Sequence, residues 1–196
     1  SSAASDVYKR QQINTSPDGV TWTERSTSLG SSRNWEDVTY GGGYFAAVAS
    51  DGITSNQLIT SQDGTNWSNT GLNTPDPAKW KSVTYGNGIF VAVASSSNNN
   101  IVVATATSSP ALKTWNAAVA ASPSGWQSVT YGNGLFVAVG TNVAMYSVNG
   151  TNWTSGASVP AGGWNSVAYG DGVFVAVAST TGTVMTSSDG STWTLR

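Results

Sequence analysis

One eleven-residue run constrains most of what this chain can become. Trp35-Glu-Asp-Val-Thr-Tyr-Gly-Gly-Gly-Tyr-Phe45 returns as Trp80-Lys-Ser-Val-Thr-Tyr-Gly-Asn-Gly-Ile-Phe90, then at Trp126 to Phe136 and at Trp164 to Phe174. Trp and Phe stand ten positions apart each time. A second run, Ser-x-Asp-Gly-x-x-Trp, occurs at Ser16 to Trp22, Ser61 to Trp67 and Ser187 to Trp193. Ser147 to Trp153 carries Asn149 in place of the Asp. Ser109 to Trp115 aligns as a degenerate copy, with Ala111 and Leu112 at the Asp-Gly positions. The period is about 38 to 48 residues. Repetition at that spacing means one supersecondary unit per repeat, stacked so that neighbours bury what each unit alone cannot.

Each unit reads as four short strands. Trp80-Lys-Ser-Val-Thr-Tyr85 is rich in aromatic and β-branched residues and alternates as a strand does. Asn87-Gly88 then supplies a hairpin turn, because both central residues of a type I′ turn need positive φ. Ile89-Phe-Val-Ala-Val93 is a nearly continuous apolar run, expected of a strand covered on both faces. A third strand, such as Thr183 to Thr186, enters the Ser-x-Asp-Gly turn, and a fourth starts near the closing Trp. Four strands per repeat of about 40 residues is the blade of an all-β propeller. The expected boundaries are 12–34 for a half blade, then 35–79, 80–125, 126–163 and 164–196 for four full blades within one domain, 12–196.

Composition narrows the chemistry. The 196 residues contain no Cys and no His, which removes disulfides, thiolate nucleophiles, the Ser-His-Asp triad and imidazole ligands. Only 9% are charged, against roughly a quarter in an average domain. A net charge of -2 with no basic run gives no footprint for nucleic acid or an anionic membrane, and no apolar stretch is long enough for a membrane-spanning helix. No catalytic residue, metal ligand or cofactor is expected.

The Ser-x-Asp-Gly-x-x-Trp run resembles the Asp-box of sialidase-like, or BNR-repeat, propellers, and the Trp-to-Val run is similar to bacterial and phage-associated members of that group. The resemblance covers about residues 13 to 196, although the usual Asp-box has a residue between Asp and Gly that is missing here. It implies a structural role for Asp18, Asp63, Asn149 and Asp189, with Trp22, Trp67, Trp115, Trp153 and Trp193 as the Trp of each box. It also invites the hydrolase chemistry of that family, which needs an arginine triad on a carboxylate. Arg25, Arg33 and Arg196 are the arginines past the N-terminal stretch, and the family's Arg-Ile-Pro signature is absent. Glycosidases in general use two opposed carboxylates, whereas Glu36 and Asp37 are strand neighbours expected to point to opposite faces. At the other end, Ser2 to Gln11 is similar to one reading frame of a transposase-library sequencing adapter, so 1–11 is expected to be a non-native tail.

Loop lengths indicate where a ligand would bind. From the Phe of strand two to the Ser of the box, the four separations align as 16, 19, 11 and 13, whereas the hairpin and the box turn align at fixed length. In an up-and-down blade the variable connections share one face, and insertions commonly mark the binding face. Arg25, Arg33, Asn73, Asp76, Asn98, Asn99 and Asn100 fall there and are the candidate ligand contacts. The expected function is a non-enzymatic recognition or structural module for a glycan or protein, on a cell surface, virion or other extracellular protein. The alternatives are a fragment of a carbohydrate-active hydrolase or a photosynthetic assembly factor with a similar propeller.

Overall fold

The computed structural model describes residues 12–25, 33–51, 57–69, 78–95, 103–107 (backbone only), 115–122, 125–179 and 182–196. The N-terminal tail and Asn73, Asp76, Asn98, Asn99 and Asn100 lie outside these residues. All of the described regular structure is β. A two-stranded half blade, β1 (Ile13–Thr15) and β2 (Thr23–Arg25), precedes four sheets of four antiparallel strands each. The first blade is β3 (Trp35–Gly41), β4 (Tyr44–Ala49), β5 (Leu58–Ser61) and β6 (Ser68–Asn69). The second is β7 (Trp80–Gly86), β8 (Ile89–Ala94), β9 (Val103–Thr107) and β10 (Asn116–Ala118). The third is β11 (Trp126–Gly132), β12 (Leu135–Gly140), β13 (Val143–Ser147) and β14 (Thr154–Ser155), and the fourth β15 (Trp164–Gly170), β16 (Val173–Ala178), β17 (Val184–Ser187) and β18 (Thr194–Leu195).

The hairpins form as the turn residues dictate. Asn87, Asn133 and Asp171 adopt φ of 47°, 50° and 49°, each followed by a glycine with φ between 76° and 79°. That pair of positive φ values gives the twist that a two-residue connection between antiparallel strands requires. The first blade meets the same demand with Gly42 and Gly43. Every first strand also carries a bulge just after its Trp, between Trp35 and Asp37 and at the matching places in the other blades.

Blade joins blade through the first two strands: β3 packs on β7, β7 on β11 and β11 on β15. The contact is an interlock between a glycine and a tyrosine. A Cβ placed on Gly41, Gly86 or Gly132 would lie 2.0–2.1 Å from the ring of Tyr85, Tyr131 or Tyr169 in the next blade. A hydrogen bond sits beside it. The amides of Val129 and Val167 donate to Ser82 Oγ and Ser128 Oγ of the preceding blade, at 3.2 Å each. Valines at Val83, Val91, Val93, Val129, Val137, Val139 and Val167 are buried in these seams. Within each blade a Phe of strand two bridges the layers. Phe45 and Phe90 lie 6.4 and 6.3 Å from the rings of Trp67 and Trp115, and Tyr40 and Tyr85 lie 4.6 and 4.8 Å from Phe45 and Phe90.

Removing the free space at an interlock is the direct test. Gly86→Ala drives a methyl into the Tyr131 ring and is expected to cost about 1–3 kcal/mol, the range for overpacking. Gly170→Ala, at the matching place in the last blade, meets nothing within 4 Å and is expected to stay within about 0.5 kcal/mol. Urea unfolding of the two variants gives the comparison.

Candidate functional site

The two ends of the blades are built differently. At one end lie the box turns. In the first blade Ser61 Oγ accepts from the Gly64 amide at 2.9 Å, and Asp63 Oδ1 accepts from the amides of Thr65 and Asn66 at 2.8 and 2.7 Å. Trp67 Nε1 donates to the Gly64 carbonyl at 2.9 Å, which ties the closing Trp to the turn. The same set recurs around Asp18, Asn149 and Asp189, with Trp153 and Trp193 donating to Gly150 and Gly190. These are Asx-type turns, in which the side chain stands in for a backbone acceptor. Donated amides favour the charged carboxylate. They hold Asp18 at about 2, below its ordinary 3.8, and lower Asp63 and Asp189 as well, backbone amides being the largest cause each time.

The second blade corrects the sequence alignment of its box. Phe45, Phe136 and Phe174 pair with Ser61, Ser147 and Ser187, but Phe90 pairs with Ala106, not Ser109. Nine positions separate Ala106 from Trp115, against six from Ser61 to Trp67. The two-to-three separation is then 16 in both the first and second blades. Variation in length is therefore not confined to one face. The sequence there lacks the Ser-x-Asp-Gly run, and strand pairing sets the register. Trp115 still packs, fully buried against Phe90, but its Nε1 has no hydrogen-bond partner among the described residues.

At the opposite end two candidate arginines are placed, and both belong to the scaffold. Arg33 is only 7% exposed and holds Asp51 at 3.2 Å, with Gln57 reaching the same carboxylate at 3.4 Å. A buried guanidinium needs such a partner. Arg25 Nε donates to Thr15 Oγ1 across β1 and β2 at 2.7 Å, and Arg196 repeats that bond to Thr186 at 3.0 Å in the last blade. Glu36 and Asp37, expected as strand neighbours to point to opposite faces, both bind the next blade, with a bulge between Trp35 and Asp37. Glu36 accepts from Lys81 at 2.6 Å and from Ser50. Asp37 Oδ2 accepts from Ser82 Oγ and the Val83 amide at 2.9 Å each. The missed signal was positional: Asp37 stands two after its Trp, where Ser82 and Ser128 do the same work.

Between the half blade and the first blade lies a groove of about 900 Å³, with Ile13 and Thr15 on one side, Val38 and Tyr40 on the other, and Trp22 and Trp35 at its margin. Among the described residues no group of three His, Cys, Asp or Glu could hold a metal, and no helix is long and apolar enough to cross a membrane.

No protein-family model and no curated protein matches this sequence. Solved structures do, and they define the fold as a β-propeller. Virginiamycin B lyase from Staphylococcus aureus, in a catalytically inactive form with quinupristin, is 14% identical with a TM-score of 0.74; 90% of this chain covers 59% of that one. YCF48 bound to D1 peptide is 19% identical with a TM-score of 0.62, over 90% of this chain and 57% of that one. A computationally designed protein, Ika4, is 11% identical with a TM-score of 0.60, over 83% of this chain and 94% of the design. The chain thus spans somewhat under three fifths of the length of the natural neighbours.

The box turns make an acid-stability prediction. A carboxylate whose folded value lies below its unfolded one stabilises above the unfolded value, and that contribution is lost as pH falls toward the folded value. The window runs from about pH 4 to about 2, from the 3.8 and about 2 of Asp18. Asn149 already makes the same turn without titrating. The triple variant Asp18→Asn, Asp63→Asn, Asp189→Asn is expected to stay folded and to lose less Tm across that window than the parent, as read by circular dichroism.

Proposed function

We propose that this propeller is a non-enzymatic recognition module that binds a polypeptide through the face opposite the box turns. The observation that carries this reading is the difference between the two faces. The Asp or Asn of each intact box turn already accepts backbone amides of its own turn. On the other face, the separation from the Phe of strand two to its partner on strand three is 16, 16, 11 and 13 positions on the observed pairing, so the connections differ in length. Loops that differ in length from one rigid repeat to the next give a scaffold its individual binding surface. The placement of Glu36 and Asp37 adds support, since both carboxylates are held in a blade seam rather than opposed across a cleft. YCF48, a structural neighbour, is solved with a peptide bound, which favours a polypeptide over a glycan for this chain.

A displayed peptide library and a glycan array, screened in parallel with hydrolysis of fluorogenic glycosides, test the reading. The expected outcome is selection of peptides whose binding falls at least tenfold when segments 70–77 and 96–102 are replaced by Gly-Ser of equal length. The box-side variant Gln62→Ala, Thr65→Ala is expected to bind as the parent does. Glycoside turnover abolished by a single carboxylate substitution in a folded variant would sink the reading in favour of the hydrolase alternative.

A further inference from the structure

We propose that the groove beside the half blade is a docking site for one inner β-hairpin of this same repeat type, a segment of the form Trp-x-Ser-Val-x-Tyr-Gly-x-Gly-x-Phe-Val-Ala-Val. The proposal does not depend on the loop-face reading. Its basis is that the groove is a blade seam with one side missing. Val38 and Tyr40 are 58% and 59% exposed, whereas the matching Val83, Val129 and Val167 are 4%, 5% and 6% exposed beneath the hairpin of the preceding blade. Trp22 is 62% exposed, whereas its counterparts Trp67 and Trp193 are buried; Trp67 does so against the Phe of its strand two. The Val38 amide, whose counterparts donate to the preceding blade, turns back to Asp37 Oδ1 of its own strand at 2.8 Å.

Among the described residues, the other edge of β1 is unpaired. β1 pairs with β2 on one side, and in every complete blade the matching strand pairs with strand two on the other. The box alignment gives the register. Phe136 pairs with Ser147, so a docked hairpin would set its Phe opposite Ser16, the next residue opposite Thr15 and the third beyond opposite Ile13. Strand addition supplies main-chain hydrogen bonds while side-chain pockets supply selectivity. The pockets are specific here: the hairpin's Phe on Trp22, its Ser on the Val38 amide, and its glycine beneath the Tyr40 ring. A second copy of the described chain does not fit the groove, because each inner hairpin is already bonded to its own third strand, and those outer strands would collide with β1 and β2.

The test uses the full chain and a synthetic peptide with the sequence of residues 126–140. The expected result is a 1:1 complex by calorimetry, with hydrogen-exchange protection of the amides of residues 13–15 and of Val38. A peptide with Ala in place of the glycine at Gly132 is expected to bind at least tenfold more weakly, and Tyr40→Ala in the chain, a change at an exposed position, is expected to weaken the parent peptide similarly. Absence of binding overturns the proposal. So does protection confined to residues 166–177, or a concentration-dependent dimer that covers Tyr40 without peptide.

Discussion

The seating of a tyrosine ring on a glycine of the preceding blade is the contact on which the arrangement depends. Three such pairs, Gly41 with Tyr85, Gly86 with Tyr131 and Gly132 with Tyr169, set how closely successive blades approach. Any side chain on the glycine would hold the sheets apart and open the seams in which the valines are buried. The hydrogen bonds from Val129 and Val167 to the serines of the preceding blades form at the same place and fix the lateral register. A four-stranded sheet with outer strands of two or three residues has little stability of its own. Stacking supplies what the single blade lacks.

The interlock also explains the two ends. Tyr40 and Val38 at one end, and Gly170, Val175 and Val177 at the other, are the same residues of the repeat without the neighbour that covers them elsewhere. Their exposure is a property of position, not of composition. The half blade packs on the outer part of the first blade, with Ile13 against Ala47, Ile59 and Trp67, and leaves Val38 and Tyr40 of the inner strand uncovered, so the groove follows from the same geometry that closes the three internal seams.

Much of this was legible in the residues. Asn-Gly pairs announced the hairpins, the apolar runs announced strands covered on both faces, and the equal spacing of Trp and Phe announced repeated sheets. The box turns were legible because Ser and Asp act within six residues of themselves. The second blade shows the limit. Ser109 invited an alignment that strand pairing rejects, since Phe90 pairs with Ala106 and the stretch lacks the Asp and Gly that set the other boxes. Asp37 and Glu36 show another limit, since their partners Ser82 and Lys81 lie 45 residues away. Arg33 likewise gave no sign in sequence of being buried against Asp51.

By itself, then, the sequence determined the repeat, the four strands of each unit, the turns that join them and the propeller class. These depend on interactions between residues close along the chain, and such interactions leave a period. Tertiary structure alone decided which charges became seam contacts, how the second blade's third strand is registered, and which faces of matching repeats remained open. Those outcomes depend on what each blade packs against, and a residue carries no record of its neighbour in the next sheet. Val38 and Val83 are the same letter at the same place in the repeat, and only the presence of a preceding hairpin makes one of them buried.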